Sequence, residues 1–192
     1  MIKIGKSVAN ISVYSYKYYP LNKDELKKII QERINQEGPN CDLNDIDVSL
    51  IDDMSHLFYG SLFNGDISRW NVSNVEDMYE MFAFSKFNGD ISNWNVSRVI
   101  YMESMFANNK SFNQDISGWD VSKVKNMAGM FAHSTFNGDI SKWDISNVKD
   151  MRWMFMGSKF NQDISNWNMS NVKFNDGMFV NCPIKEEYKP TI

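Results

Sequence analysis

The residues of this chain that are best suited to chemistry are aspartates at a fixed position of a repeated motif. The motif reads Phe-Asn-(Gly/Gln)-Asp-Ile-Ser, and its aspartates are Asp66, Asp90, Asp115, Asp139 and Asp163. If the motifs stack, these carboxylates form a column and repel one another unless they are neutralised or hydrogen-bonded. We favour a structural role, in which each Asp accepts a hydrogen bond from Ser or from a backbone amide.

The same column has a compatible functional interpretation, because it would present an acidic face to a basic partner. Calcium is a weaker alternative, since one carboxylate per repeat does not build the dense oxygen cage of a calcium-binding loop. The Asn one residue after each Phe is expected to form a parallel ladder of side chains.

Signatures of catalysis and of metal binding are missing from the sequence. His56 and His133 are the only histidines, and neither has a partner at metal-ligand spacing. The sequence contains no P-loop, no GxGxxG after a strand and no GxSxG. The aspartates share equivalent surroundings, so none is set apart as the acid or the base of a glycosidase. We therefore expect a protein without enzymatic activity, cofactor or metal.

These aspartates belong to a longer repeat that predicts the fold. The motif starts at Phe63, Phe87, Phe112, Phe136 and Phe160, so its spacing is 24, 25, 24 and 24 residues. A period in this range is typical of stacked supersecondary units. The alternating Phe-Asn-Gly-Asp-Ile-Ser predicts a short parallel strand, and Val, Met and Phe at helical spacing predict a short helix. The serines expected to cap these helices are Ser73, Ser97, Ser122, Ser146 and Ser170.

The predicted fold class is therefore an α/β solenoid that is leucine-rich-repeat-like. A parallel sheet would form one face and short helices the other, behind an N-terminal α/β cap. Residues 1–40 are expected to form a strand or hairpin and then a capping helix over about 23–36, which begins after Asn22 and stops at Gly38. Residues 41–182 hold about six repeats, the first of them degenerate, and residues 183–192 form a tail that ends the stack.

Two further columns are apolar. Methionines at helical spacing are expected to fill the core rather than to bind a metal or act in redox chemistry. The Trp column consists of Trp70, Trp94, Trp119, Trp143 and Trp167. We expect them to be buried at a corner of each repeat, and the alternative is a row of exposed indoles that stack sugar rings.

Aromatic residues that depart from the repeat are the better candidates for partner binding, because the fold does not require them. Trp153 stands where other repeats have Glu, Ser or Gly, and Tyr101 and Phe174 share a second variable position. Together with Tyr79 they predict an aromatic contact strip on the helical face. The alternative is a set of scattered exposed aromatics without a role.

The motif DISxW(D/N)VSxVxxMxxMF, which recurs over residues 42–182, resembles the BspA-like leucine-rich-repeat family, also known as the mycoplasma-type surface-protein repeat. The resemblance implies a leucine-rich-repeat-like solenoid. It also implies a non-enzymatic role in binding or adhesion, often at bacterial surfaces.

Charge and composition restrict the class of partner. The net charge is -4, and residues 1–40 hold seven Lys and Arg against four acids, so the remainder carries -7. A body of that sign repels nucleic-acid phosphate, so we expect no direct binding of nucleic acid. No apolar run reaches the ~18 residues of a membrane span. The first residues do not form a secretory signal, which favours the cytoplasm over the cell surface. Cys41 and Cys182 are expected to be free thiols.

The leading hypothesis is a repeat module that binds a protein partner by surface complementarity, as in adhesion or host interaction. The alternative is an intracellular inhibitor, of a phage or mobile-element type, whose acidic columns mimic nucleic acid and block a basic enzyme. A glycan bound along the Trp column is a third possibility.

Overall fold

Residues 15–191 are described by the computed structural model, and they contain one α-helix, α1, over Lys23–Glu37. Asn22 caps α1 by accepting a hydrogen bond from the Glu25 N–H at 3.0 Å. Gly38 ends the helix in a left-handed conformation (φ 91°) that few other residues adopt. The predicted capping helix is thus confirmed. A 3₁₀ helix spans Glu186–Tyr188.

The predicted α/β solenoid, with its leucine-rich-repeat-like sheet and short helices, is wrong. Residues 15–191 contain no extended strand, and the repeats are built from turns and irregular backbone. Parallel pairing is limited to isolated bridges. They are Tyr18–Ile46, Asp42–Asp66, Asp53–Asp77, Asp77–Tyr101, Tyr101–Asn126, Asn126–Asp150 and Asp150–Phe174. The strand or hairpin predicted in residues 1–20 falls mostly on residues 1–14, outside the described part of the chain.

The strands predicted at Phe-Asn-Gly-Asp-Ile-Ser do not form because side chains take up the backbone N–H groups. The Asn88 N–H donates to Asn64 Oδ1 of the preceding repeat at 2.7 Å. The Ser92 N–H donates to Asp90 Oδ1 at 2.9 Å, which closes a local turn. The same two bonds recur in the repeats that start at Phe112 and Phe136. These bonds replace a sheet ladder, so the alternating pattern builds a stack of turns.

The predicted short helices are also turns. We call residues 54–61, 78–85, 102–109, 127–134, 151–158 and 175–182 the turn segments. Alternate N–H groups of a turn segment donate to carbonyls of the next repeat, as from Met78 to Tyr101 (2.9 Å), Glu80 to Glu103 (3.0 Å) and Phe82 to Met105 (2.9 Å). The N–H groups between them donate three residues back, as from Met81 to Met78 at 3.2 Å.

Left-handed backbone enforces this arrangement. In residues 102–109, Ser104 and Asn108 have φ of 53° and 56°, and each other turn segment has left-handed residues at the same two places. A continuous α-helix requires negative φ at every residue and i→i−4 hydrogen bonds. Turns of this kind still place apolar side chains three and four residues apart on one face, so the spacing alone did not distinguish them from a helix.

Aromatic and methionine side chains stack in columns and form the core. Phe82 lies parallel to Phe106, with ring centroids 5.6 Å apart, and Phe106 to Phe131 at 5.8 Å. The five tryptophans of the Trp column are only 3–4% exposed, and each donates its Nε1–H to a carbonyl one repeat earlier, as Trp143 does to Ile116 at 3.1 Å. The predicted burial of the Met and Trp columns is therefore confirmed, and no indole ring face of the Trp column is open for stacking on a sugar.

Helix α1 packs on the degenerate repeat that precedes Phe63. Its Leu26 and Ile30 are buried in the same core. Arg33 is also buried, and it donates to Asp45 Oδ1 at 2.7 Å and to the Asp42 carbonyl at 2.8 Å. These bonds fix the helix against the first turns of the stack. Cys41 and Cys182 are free thiols, as predicted.

At the C-terminal end, the Ile164 N–H donates to the Tyr188 carbonyl at 3.0 Å, so the tail lies against the last repeat.

Within residues 15–191, no helix combines the length and the apolar character that crossing a bilayer requires.

Candidate protein-interaction surface

The aspartate column is exposed and locally hydrogen-bonded. Each member accepts the backbone N–H of the Ser two residues later, at 2.8–3.0 Å. Hydrogen bonds from Ser117 hold the pKa of Asp115 below its ordinary value, and bonds from Ser165 do the same for Asp163. The predicted structural role is thus confirmed. These lowered pKa values keep Asp115 and Asp163 ionised at neutral pH, so the column remains a candidate acidic face.

A second polar column was assigned the wrong role. The serines predicted as helix N-caps cap no helix. Instead, the Ser122 N–H donates to Asp120 Oδ1 at 3.1 Å and the Ser146 N–H to Asp144 Oδ1 at 3.0 Å. Asp120 and Asp144 therefore extend the acidic surface of the central repeats. Their signal in the sequence was the pair Asp-x-Ser, which is typical of a local turn as much as of a cap.

The four aromatic candidates are all exposed. The exposed fraction is 37% for Tyr79, 44% for Tyr101, 47% for Trp153 and 49% for Phe174. Tyr101 and Phe174 lie in the column of parallel bridges, and Trp153 is one of the left-handed residues of a turn segment. They therefore lie on the edge that the turn segments form, not on a helical face. The prediction of one aromatic strip is only partly correct, because the ring contacts define two separate patches.

The first patch, which we call the C-terminal patch, consists of Trp153, Phe174 and Arg152. The Arg152 guanidinium carbon lies 5.5 Å from the Trp153 ring centroid and 5.2 Å from that of Phe174. Asp150 Oδ1 accepts from Arg152 Nε at 3.0 Å and so holds the guanidinium in place. The hydrogen bond and charge of Asp150 raise the pKa of Arg152 above its ordinary value. Arg152 was missed in the sequence because Arg on a variable position carries no periodic signal.

Gly177 makes room for Trp153. A Cβ at Gly177 would lie 2.6 Å from Trp153 Cδ1, and the glycine has a left-handed φ of 68°. The indole of one repeat therefore lies over a glycine of the next. This pairing of a large residue with Gly one repeat later is a sequence signal that could have located the patch.

The second patch, which we call the N-terminal patch, surrounds Tyr79. The His56 and Tyr79 rings are 4.8 Å apart in an edge-to-face arrangement, and Tyr59 and Phe84 are 5.5 Å apart. His56 Nε2 also lies 3.2 Å from Glu80 Oε2. Sequence analysis missed His56, Tyr59 and Phe84 as members of an exposed cluster. Tyr101 has no ring contact with either patch among the described residues.

Fold and surface together define a repeat protein whose turns are joined from one repeat to the next and whose variable side chains face outwards. The chain belongs to the family described as "Mycoplasma protein of unknown function, DUF285", whose model matches residues 25–135 and 119–187. The expected mycoplasma-type repeat family is thus shown, whereas the BspA-like leucine-rich-repeat assignment is not. No curated protein and no solved structure matches the chain.

Proposed function

We propose that this protein is a non-enzymatic repeat module that binds a protein partner through its exposed aromatic patches. The observation that carries the proposal is the C-terminal patch, where Trp153, Arg152 and Phe174 stand exposed at positions that the stack leaves variable. Trp, Tyr and Arg are the residues most enriched among those that dominate binding energy at protein interfaces. Binding or adhesion, which the resemblance to surface-protein repeats implies, is one form of this function.

The C-terminal patch is also held in position before any partner arrives. Arg152 is bonded to Asp150 and flanked by two aromatic rings, so it loses little side-chain freedom on binding. A partner with a carboxylate could bond the donors of the guanidinium that Asp150 leaves free, and its apolar side chains could cover the rings. Each repeat supplies a similar scaffold position, so the patch can vary without disturbing the core.

The experiment that tests the proposal is affinity capture with matched variants, followed by binding of the purified partner. Trp153→Ser is expected to reduce partner affinity by at least tenfold, equivalent to about 1.4 kcal/mol. Leu50→Ser is the control, because Leu50 is an exposed apolar residue outside both patches. If both variants bind as the parent does, the C-terminal patch has no role in recognition.

The second candidate function is inhibition of a basic enzyme by mimicry of nucleic-acid phosphate. It is favoured by one observation, the column of exposed carboxylates, in which hydrogen bonds from the following serines lower the pKa values of Asp115, Asp139 and Asp163. The double variant Asp115→Asn and Asp139→Asn is expected to abolish such binding, and added salt to weaken it steeply. Binding through the aromatic patches would instead survive both changes and depend on Trp153.

A further inference from the structure

An open cavity of about 610 Å³ lies between α1 and the turn segment 54–61. Its volume is within the ordinary range for ligand sites. One wall is α1, with Lys23, Asp24, Lys27 and Gln31, and the other is the continuous segment from Ser55 to Ser61. The C-terminal patch takes no part in it, whereas His56 and Tyr59 of the N-terminal patch are among its lining residues.

The backbone wall of this cavity has carbonyl groups whose counterparts in later repeats accept hydrogen bonds from the preceding repeat. In the next turn segment, the carbonyls of Tyr79, Met81 and Ala83 accept N–H groups from residues 56, 58 and 60 of the preceding repeat at 2.9 Å. The equivalent carbonyls of the first turn segment belong to Ser55, Leu57 and Tyr59. Within residues 15–191 none of these three accepts a hydrogen bond. A row of unpaired backbone carbonyls is a template for pairing with another chain, so the cavity wall is an edge ready to accept donors.

The wall of the cavity that α1 forms determines what kind of peptide could bind to these carbonyls. Lys23 is already paired with Asp53 at 2.6 Å, and it also donates to Ser55 Oγ at 2.8 Å. Lys27 lines the cavity and has no ion pair among the described residues. Ile30, Ile34 and Phe58 add apolar lining. An occupant therefore needs backbone N–H groups for the carbonyls, an acidic side chain for Lys27 and an apolar side chain for the lining.

We propose that the cavity binds an acidic peptide segment, whose alternate residues donate backbone N–H groups to the carbonyls of Ser55, Leu57 and Tyr59. The segment takes the place that a preceding repeat would occupy, so each contact has a counterpart in the interior of the stack. The site is separate from the C-terminal patch, and it shares His56 and Tyr59 with the N-terminal patch. It adds recognition of a peptide backbone, with Lys27 selecting for acidic sequences.

The test uses the full chain and a labelled peptide, VEDMYEMFAFS, which copies residues 75–85. This sequence is acidic, and in the folded protein its N–H groups at residues 80, 82 and 84 already donate to the carbonyls of the next repeat that correspond to those of Ser55, Leu57 and Tyr59. We expect saturable binding by fluorescence anisotropy. Lys27→Glu is expected to weaken binding about fivefold by replacing attraction with repulsion. The matched control is Lys28→Glu, whose side chain lines a different surface of α1 and should leave affinity unchanged.

A second pair of peptides tests the backbone bonds themselves. N-methylation at the peptide positions of Glu80, Phe82 and Phe84 removes the three proposed donors, and N-methylation at Tyr79, Met81 and Ala83 is the matched control. We expect the first peptide to lose at least tenfold more affinity than the second. Absence of saturable binding, equal effects of the two lysine variants, or equal binding of the two methylated peptides would each overturn the proposal.

Cross-linking identifies the occupant directly. In a Gln31→p-benzoylphenylalanine variant of the full chain, the photoreactive group lines the cavity. Capture of the added peptide is the expected result. Capture of residues 1–14 of the same chain, in place of the peptide, would show that the protein fills its own cavity and would contradict the proposal.

Discussion

Asn109 lies where the repeat is one residue longer than elsewhere, and it offers the sharpest test of how the stack is held together. Its counterparts in neighbouring repeats are Ser85 and Ser134. Ser85 Oγ accepts the Phe87 N–H, two residues later, at 3.3 Å. Asn109 Oδ1 instead reaches the Phe112 N–H, three residues later, at 2.9 Å. The longer side chain therefore compensates for the inserted residue.

The loss of stability expected on replacing Asn109 follows from the hydrogen bonds that its side chain makes. It is fully buried, its Oδ1 also accepts the Ser111 N–H at 2.8 Å, and its Nδ2 donates to the Phe87 carbonyl at 3.0 Å. Asn109→Ala leaves these groups unpaired, and each buried unpaired group costs roughly 1–3 kcal/mol. We expect a total loss of about 3–5 kcal/mol in the free energy of unfolding. At about 2–4 °C per kcal/mol for a chain of this size, the melting temperature falls by about 10 °C.

The assay is urea and thermal unfolding of three variants: Asn109→Ala, Asn109→Ser, and Asn109→Ser combined with deletion of Lys110. The combined variant restores the 24-residue spacing together with the shorter side chain. We expect it to recover more than half of the stability that Asn109→Ser loses. If Asn109→Ala changes stability by less than about 0.5 kcal/mol, or if the deletion gives no recovery, the proposed compensation is refuted.

Three further predictions concern the core and the charged surface. Trp143→Phe removes the indole N–H that pairs with the Ile116 carbonyl and should cost about 1–3 kcal/mol, whereas Trp153→Phe should cost less than about 0.5 kcal/mol in the same urea titration. Equal costs would contradict the assignment of buried and exposed columns. Burial raises the pKa of Glu103, and its Oε2 has no partner among the described residues. Its protonated form is therefore favoured by folding, and its contribution to stability is lost as pH rises above the unfolded value of 4.5. Glu103→Gln should accordingly gain stability relative to the parent between pH 4 and pH 7, and an unchanged difference would show that the carboxyl is solvated. Hydrogen bonds from Ser117 lower the pKa of Asp115, so its contribution is present above the unfolded value of 3.8 and is lost as pH falls through the folded value. Asp115→Asn should flatten the loss of stability on acidification, and an unaltered acid titration would count against the hydrogen-bonded role.

Sequence analysis identified the repeat, its period and its buried columns, because apolar side chains at fixed intervals report directly on packing. The capping helix was also predictable, since Asn22 and Gly38 carry standard helix-end signals. The secondary structure within the repeat could not be predicted from the sequence. Apolar spacing constrains where side chains point, but it does not record which carbonyl accepts each N–H group.

The residues whose backbone distinguishes a stack of turns from a helix carry no clear signal in the sequence. Ser104, Glu80 and Trp153 adopt left-handed backbone without being Gly, Asn or Asp, the residue types that usually signal it. Only Gly129 and Gly177, at the equivalent place in two other repeats, carry the expected signal. The candidate interaction surface could be predicted only in part, for a similar reason. Departure from the repeat located the exposed aromatics, whereas the grouping around Arg152 and around His56 depends on contacts between repeats.

The most direct test of the fold is the hydrogen-bond partner of Ser104, because a helix and a turn stack assign its N–H to different carbonyls. Scalar couplings across hydrogen bonds, measured by NMR on labelled protein, identify that partner. The structure places the Ser104 N–H at 2.9 Å from the Ala128 carbonyl of the next repeat, so a coupling between these two groups is the predicted result. A coupling to the carbonyl of Ile100, four residues earlier, would show a helix and contradict the account.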